Sequence, residues 1–181
     1  MGYDAGGLFS SSFADVPDGI RQQTIQKALS RVKNKSDIFD ILGEVSDNML
    51  IFNAGFVLGI DGRFPIVLAG GTQMACLLLV INSIARYMGA EVDSSRLMLW
   101  TTRWVAQDPN SDIRALLEML DFPISAHYGE FDFSQASQPK VKLYDKGEAK
   151  EGVAAGAAII YAYLHGVSKE DISRQVEGFV R

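Results

Sequence analysis

The sequence predicts an α/β fold, a three-layer Rossmann-like parallel sheet flanked by helices, as one domain over residues 1–181. Three observations carry that expectation. A short apolar run with β-branched residues, Ile66, Val67 and Leu68, follows Pro65 and stops at Ala69, Gly70, Gly71 and Thr72. An apolar segment over residues 74–85 comes next, far too long for one strand. Gly89 ends it, and Leu97, Met98, Leu99 and Trp100 read as a second strand. Strand, glycine turn, helix and strand at this spacing match a right-handed parallel crossover. The glycines leave two readings open. They let the backbone approach a ligand whose anion meets the free N–H groups of the helix, or they only make a tight turn and let helix and strand pack closely.

The totals bound the rest. A chain of 181 residues has room for a proper core, and 48% hydrophobic with 22% charged residues is ordinary for a globular protein. The net charge of −5, with no block of Lys or Arg, points to neither nucleic acid nor an anionic membrane as partner. Asn82 and Ser83 interrupt the longest apolar run and Arg86 closes it, so it falls short of the roughly 20 apolar residues that span a bilayer. The single cysteine, Cys76, excludes a disulfide framework and reads as a small buried hydrophobe. No signal peptide is visible at the start, and a reducing, cytoplasmic compartment is expected. His127 and His165 stand far apart with no companion ligands, so neither a metal nor another cofactor is expected.

Taken in order, residues 1–13 are rich in glycine and serine, and Ser10, Ser11 and Ser12 offer three hydroxyls to a phosphate or ribose, or cap the next element. After Pro17, Ile20, Thr24, Ile25, Ala28, Leu29 and Val32 form an apolar stripe at helical spacing, with Arg21, Gln22, Gln26, Lys27 and Arg31 outside it. Ser36 is the expected N-cap of a second helix over residues 37–45. A third helix is expected over residues 47–58, and Asp61 with Gly62 makes a turn into the first strand.

Directly after the second strand stand Thr101, Thr102 and Arg103. Polar residues there lie on the edge where open α/β sheets bind ligands. Arg103 could hold a carboxylate or phosphate, or form an ordinary surface ion pair. Asn110 or Ser111 should cap a helix over residues 112–120, and Phe122, Pro123 and Ile124 open another extended segment. Residues 134–142 read as a polar surface loop. An alanine-rich helix follows through Leu164, Gly166 stops it, and Ser168 with Asp171 caps a last helix over residues 169–179.

Glu151 stands between two glycines, Gly147 and Gly152 flanking the approach, where that alanine-rich helix starts. A carboxylate there is favoured by the helix dipole and stays ionised at neutral pH. It can accept a proton from an attacking nucleophile as a general base, or simply cap the helix.

Three separated stretches then resemble a known family. They are residues 66–74 (IVLAGGTQM), 100–105 (WTTRWV) and 150–156 (KEGVAAG). Together they are similar to the nicotinate-nucleotide–dimethylbenzimidazole phosphoribosyltransferases, and more closely to the divergent branch described only as an uncharacterised protein family. Gly2, Tyr3, Asp4 and Ala5, and the stretch from Leu8 through Phe13, look like that branch too. The resemblance implies a reaction in which a benzimidazole nitrogen attacks the anomeric carbon of nicotinate mononucleotide and nicotinate leaves, giving the α-ribazole phosphate of the cobamide lower ligand. It implies Glu151 as catalytic base, Gly70, Gly71 and Thr72 as walls of the nucleotide pocket, and Ser10, Ser11 and Ser12 near the ribose phosphate. Thr101, Thr102, Arg103 and Gly152 complete the implied substrate contacts.

Two departures accompany it. Members of the family run to about twice this size, with a further phosphate loop upstream of the Gly2 match. The resemblance therefore implies that this chain is the C-terminal half of such an enzyme, an incomplete version of its domain that self-associates or pairs with the other half. Ala154 also stands where a glycine is expected. The alternative function is a non-catalytic nucleotide-binding or assembly module that keeps the fold.

Overall fold

The computed structural model describes residues 6–9, 18–60, 62–148 and 154–180. Three helices lead in: Asp18–Val32 (α1), Ile38–Val45 (α2) and Asn48–Ile60 (α3). The core unit follows as strand Ile66–Ala69 (β1), helix Thr72–Met88 (α4) and strand Leu97–Thr102 (β2). Two short helices, Arg103–Ala106 (α5) and Ile113–Leu117 (α6), precede strand Ser125–Gly129 (β3). Helices Ala155–Leu164 (α7) and Lys169–Phe179 (α8) close the chain.

The sheet is parallel throughout, in the order β1-β2-β3, with Leu68 opposite Leu99 and Trp100 opposite His127. Strand alternation assigns its two faces. Leu68, Leu97 and Leu99 share one face and join the core that α4 fills with Ala75, Leu78 and Ile81. Thr102 and its partner Gly129 lie on the other face, and a Cβ on Gly129 would stand 2.6 Å from Ile159 Cγ2 of α7. Helices therefore cover both faces, and the layered α/β architecture is as the sequence predicts. Among the described residues no helix is long and apolar enough to cross a membrane.

The polar residues inside α4 have structural work. Asn82 is buried, and its Oδ1 accepts a hydrogen bond from the amide of Asp121 at 3.1 Å, while Arg86 pairs with the Asp121 carboxylate. Together they fix the turn after α6. Cys76 sits part-buried on the same helix, and burial pushes its thiol up. Gly89 takes a left-handed φ of 64° and ends the helix with its amide bonded to the Arg86 carbonyl.

Several local expectations are corrected. Asp37, not Ser36, caps α2: its Oδ1 accepts from the amides of Phe39 and Asp40, and its other oxygen accepts from the Tyr87 hydroxyl. A carboxylate serves this N-terminus and reaches across to α4 as well, which a serine hydroxyl could not do. Asp112 likewise replaces Asn110 or Ser111 as the cap of α6, which stops at Leu117. Residues 134–142 are not purely surface, because Ala136 and Val141 are buried under an aromatic cluster. The stripe of α1 is not covered either: Ile20, Ile25 and Leu29 are exposed. Helical spacing says which residues share a face, and only a neighbour can bury it.

Candidate functional site

Parallel strands all end on one side of the sheet, and the sequence motifs gather there. β1 runs into Gly70, whose amide donates to the Trp100 carbonyl of β2 at 3.0 Å. Gly71 is the N-cap residue of α4, with no side-chain cap, and a Cβ there would stand 3.2 Å from Val105 Cγ1 of α5. Close packing against α5 is thus one reason for glycine at that position. Thr72 begins α4 and is buried.

β2 extends two residues further than expected, so Thr101 and Thr102 are its last residues rather than a loop. Both are buried, and they differ in use. Thr102 Oγ1 accepts from the Val105 amide and caps α5. Thr101 is only 4% exposed and its hydroxyl has no hydrogen-bond partner, nor does the buried Trp100 indole N–H next to it. Buried polar groups are satisfied as a rule, so these two exceptions, which strand alternation turns to opposite faces of β2, stand out near the ligand edge of the sheet.

Arg103 follows directly and is engaged by three carboxylates. Its guanidinium lies 3.3 Å from Asp145, 3.6 Å from Glu130 and 3.7 Å from Asp132. Asp145 also accepts from the Trp104 indole N–H at 2.8 Å and from the Phe133 amide at 2.7 Å. The Lys169 ammonium reaches Asp132 at 2.7 Å, and with the hydroxyl and amide of Ser134 it holds that carboxyl well below the usual range. Since the folded-state value is depressed, this contribution to stability is complete above the unfolded value of about 4 and is lost as pH falls below it. Asp132→Asn is accordingly expected to flatten the loss of thermal stability below about pH 4. Melting curves taken through the acid range check this.

A polar pocket of ≈ 310 Å³ opens beside this network, lined by Arg103, Gln107, Asn110, Asp145 and Lys146. The Asp112 amide donates to the Leu8 carbonyl, so residues 6–9, which lead into Ser10, lie against the same end of the molecule.

Helix α7 closes over this edge. A Cβ on Gly156 would fall 2.0 Å from the carbonyl carbon of Thr101, so helix and strand backbones are in direct contact. Its N-cap residue, Ala154, has a φ of 60°, the only non-glycine with positive φ among the described residues. An L-residue in that region costs roughly 1–2 kcal/mol, partly offset by the added chain entropy of glycine in the unfolded state. Ala154→Gly should therefore stabilise the fold by about 0.5–1 kcal/mol in chemical denaturation. The residue type expected there by resemblance is the one the backbone favours.

An apolar pocket of ≈ 770 Å³ lies between α7, α8 and the rings of Trp104, Phe131, Phe133 and Tyr144. Trp104 stacks on Phe133 with ring centres 5.6 Å apart and planes 8° apart. Sequence reading passed over this cluster. The signal is six aromatics over residues 104–144 with no helical or strand period to unite them. Ser10, Ser11, Ser12, Glu151 and Gly152 lie outside the described residues. Among those described, no group of His, Cys, Asp and Glu is arranged to hold a metal. His127 pairs with the Ser125 hydroxyl at 2.8 Å on the edge strand, and His165 packs on Tyr161.

No protein-family model matches the chain. Over 98% of its length it is 33% identical to a UPF0284 protein of Picosynechococcus sp., of which it covers 49%. It is 34% identical to a UPF0284 protein of Sulfurisphaera tokodaii and 32% identical to one of Methanocaldococcus jannaschii, each time over 98% of this chain. The chain spans about half the length of the curated relatives it matches. It is a homologue of UPF0284 proteins along nearly all of its own sequence, and that name states no activity.

Proposed function

We propose that this chain forms one half, the C-terminal half, of an enzyme that transfers the phosphoribosyl group of nicotinate mononucleotide to a benzimidazole-type base. The supporting observation is convergence. Gly70, Gly71 and Thr72, then Thr101 to Arg103, and the start of α7 meet at one sheet edge through the Gly70–Trp100 hydrogen bond and the Gly156–Thr101 contact. Glu151 and Gly152 stand four and three residues before Ala155, where α7 starts rather than at Glu151 itself.

In this reaction the base nitrogen forms a bond to the anomeric carbon as the bond to nicotinate breaks. The ring N–H proton passes to the Glu151 carboxylate, and nicotinate departs with the bonding pair. The apolar pocket beside Ala155, with its Trp104, Phe133 and Tyr144 walls, has the size and surface for a flat ring. The substrates are small molecules; neither nucleic acid nor a membrane is part of the reading, and no cofactor takes part.

A second reading has its own observation. Arg103 is committed to Asp145, Glu130 and Asp132, and Gly71 to its close fit against Val105, which favours a non-catalytic nucleotide-binding or assembly module. Assaying the formation of α-ribazole phosphate from nicotinate mononucleotide and dimethylbenzimidazole separates the two. Product formed in the presence of the complementary half supports transfer, and nucleotide binding without product supports the module.

A further inference from the structure

We infer that the open edge of β1, together with the exposed apolar face of α3, is the docking surface for a polypeptide that continues the sheet with a parallel apolar strand. This inference rests on the half-enzyme reading for the identity of that polypeptide: the portion that UPF0284 relatives of twice this length possess and this chain does not cover.

The sheet itself points to this edge. β1 pairs only with β2, and among the described residues nothing pairs with its other side. The amides of Ile66 and Gly70 donate to β2, at the Arg96 and Trp100 carbonyls. The alternation of a parallel ladder then turns the N–H groups of Val67 and Ala69 to the open side. Parallel sheets are found with both faces and most strands buried, and an unprotected edge is a template for another strand. The two edges differ. β1 reads Ile-Val-Leu-Ala, with nothing charged to repel a neighbour, whereas β3 carries exposed Ser125, His127 and Tyr128. The sequential order β1-β2-β3 is also that of one half of a doubly wound sheet, whose other half adds at the first strand.

Helix α3 adds an independent observation. It packs on α4 through buried Ala54 and Val57, so it belongs to the helix layer over one face of the sheet. Yet it is apolar on all sides, and Phe52 (71% exposed) stacks on Phe56, which is exposed too. A helix apolar all round is a buried helix. As the helix that leads into β1, packed beside α4, it stands where a right-handed crossover from a parallel strand beyond the open edge of β1 would stand.

The test is co-expression of the full chain, tagged, with the portion of the Methanocaldococcus jannaschii relative that this chain does not cover. The expected result is a one-to-one complex in which exchange of the Val67 and Ala69 amides slows at least about 100-fold while the β3 edge is unchanged. Val67→Pro removes an outward N–H without touching the β2 ladder, so it should abolish the complex and keep the circular dichroism of the free chain. Phe52→Glu serves as the second variant, through the helix face alone, and should weaken the complex at least about tenfold. Three results would overturn the inference: no complex, protection at β3 instead of β1, or β1 amides already protected in a dimer of this chain alone. The readout is assembly, so a complex that forms without transferring phosphoribose refutes the activity and leaves the docking surface standing.

Discussion

Gly156→Ala is expected to cost about 3 kcal/mol of stability and to lower the melting temperature by roughly 6–12 °C. The added methyl would fall 2.0 Å from the carbonyl carbon and 2.1 Å from the carbonyl oxygen of Thr101. Those are backbone atoms of the central strand, so no rotamer change relieves the contact. Helix α7 must instead lift from β2, which opens its contact with Gly129 through Ile159 and loosens the aromatic cluster behind it. Gly129→Ala crowds the Ile159 side chain, at 2.6 Å from its Cγ2, and meets backbone only at an ordinary 3.6 Å from the Gly156 carbonyl oxygen, so it should cost less. Thermal denaturation of the two variants side by side checks both the magnitude and the order. Equal effects would mean that α7 does not rest on the β2 backbone.

Glu151→Gln is expected to lower turnover roughly 100- to 10,000-fold while leaving nicotinate mononucleotide binding intact. The amide keeps the size and most of the hydrogen bonding of the carboxylate and cannot take the proton that the attacking ring nitrogen must lose. The loss should therefore fall on kcat rather than on KM, in an assay containing this chain and its complementary half. Turnover unchanged in that variant would remove Glu151 from the reaction. A loss confined to nucleotide affinity would make it a binding residue.

The fold was legible in the sequence where local signals were strong. β1, α4 and β2 announce themselves through run length, the glycines at 70 and 71, and the terminating Gly89, and the capping of α8 by Ser168 is as expected. What could not be read was anything that depends on a distant partner. Asp37 outcompetes Ser36 because Tyr87, fifty residues on, also binds it. Arg103 looks like an anion ligand in the linear sequence, and only folding brings Asp145, Glu130 and Asp132 around it. The pocket of Trp104, Phe133 and Tyr144 is likewise assembled from three separate segments. The need for glycine at 156 is invisible in sequence as well, since an alanine-rich helix tolerates either residue until a strand backbone touches it.

The same distinction explains the exposed apolar surfaces. Ile20, Ile25 and Leu29 on α1, and Phe52 and Phe56 on α3, have the spacing of buried faces and remain exposed among the described residues. Exposed apolar patches of this kind mark interaction surfaces.

The most direct measurement is a calorimetric titration of this chain with nicotinate mononucleotide, repeated on Gly156→Ala at a temperature where that variant remains folded. Saturable one-to-one binding to the unsubstituted chain is expected, and clearly weaker binding once α7 is displaced from Thr101. Absence of any binding at millimolar nucleotide would contradict this, as would equal affinity in the two proteins.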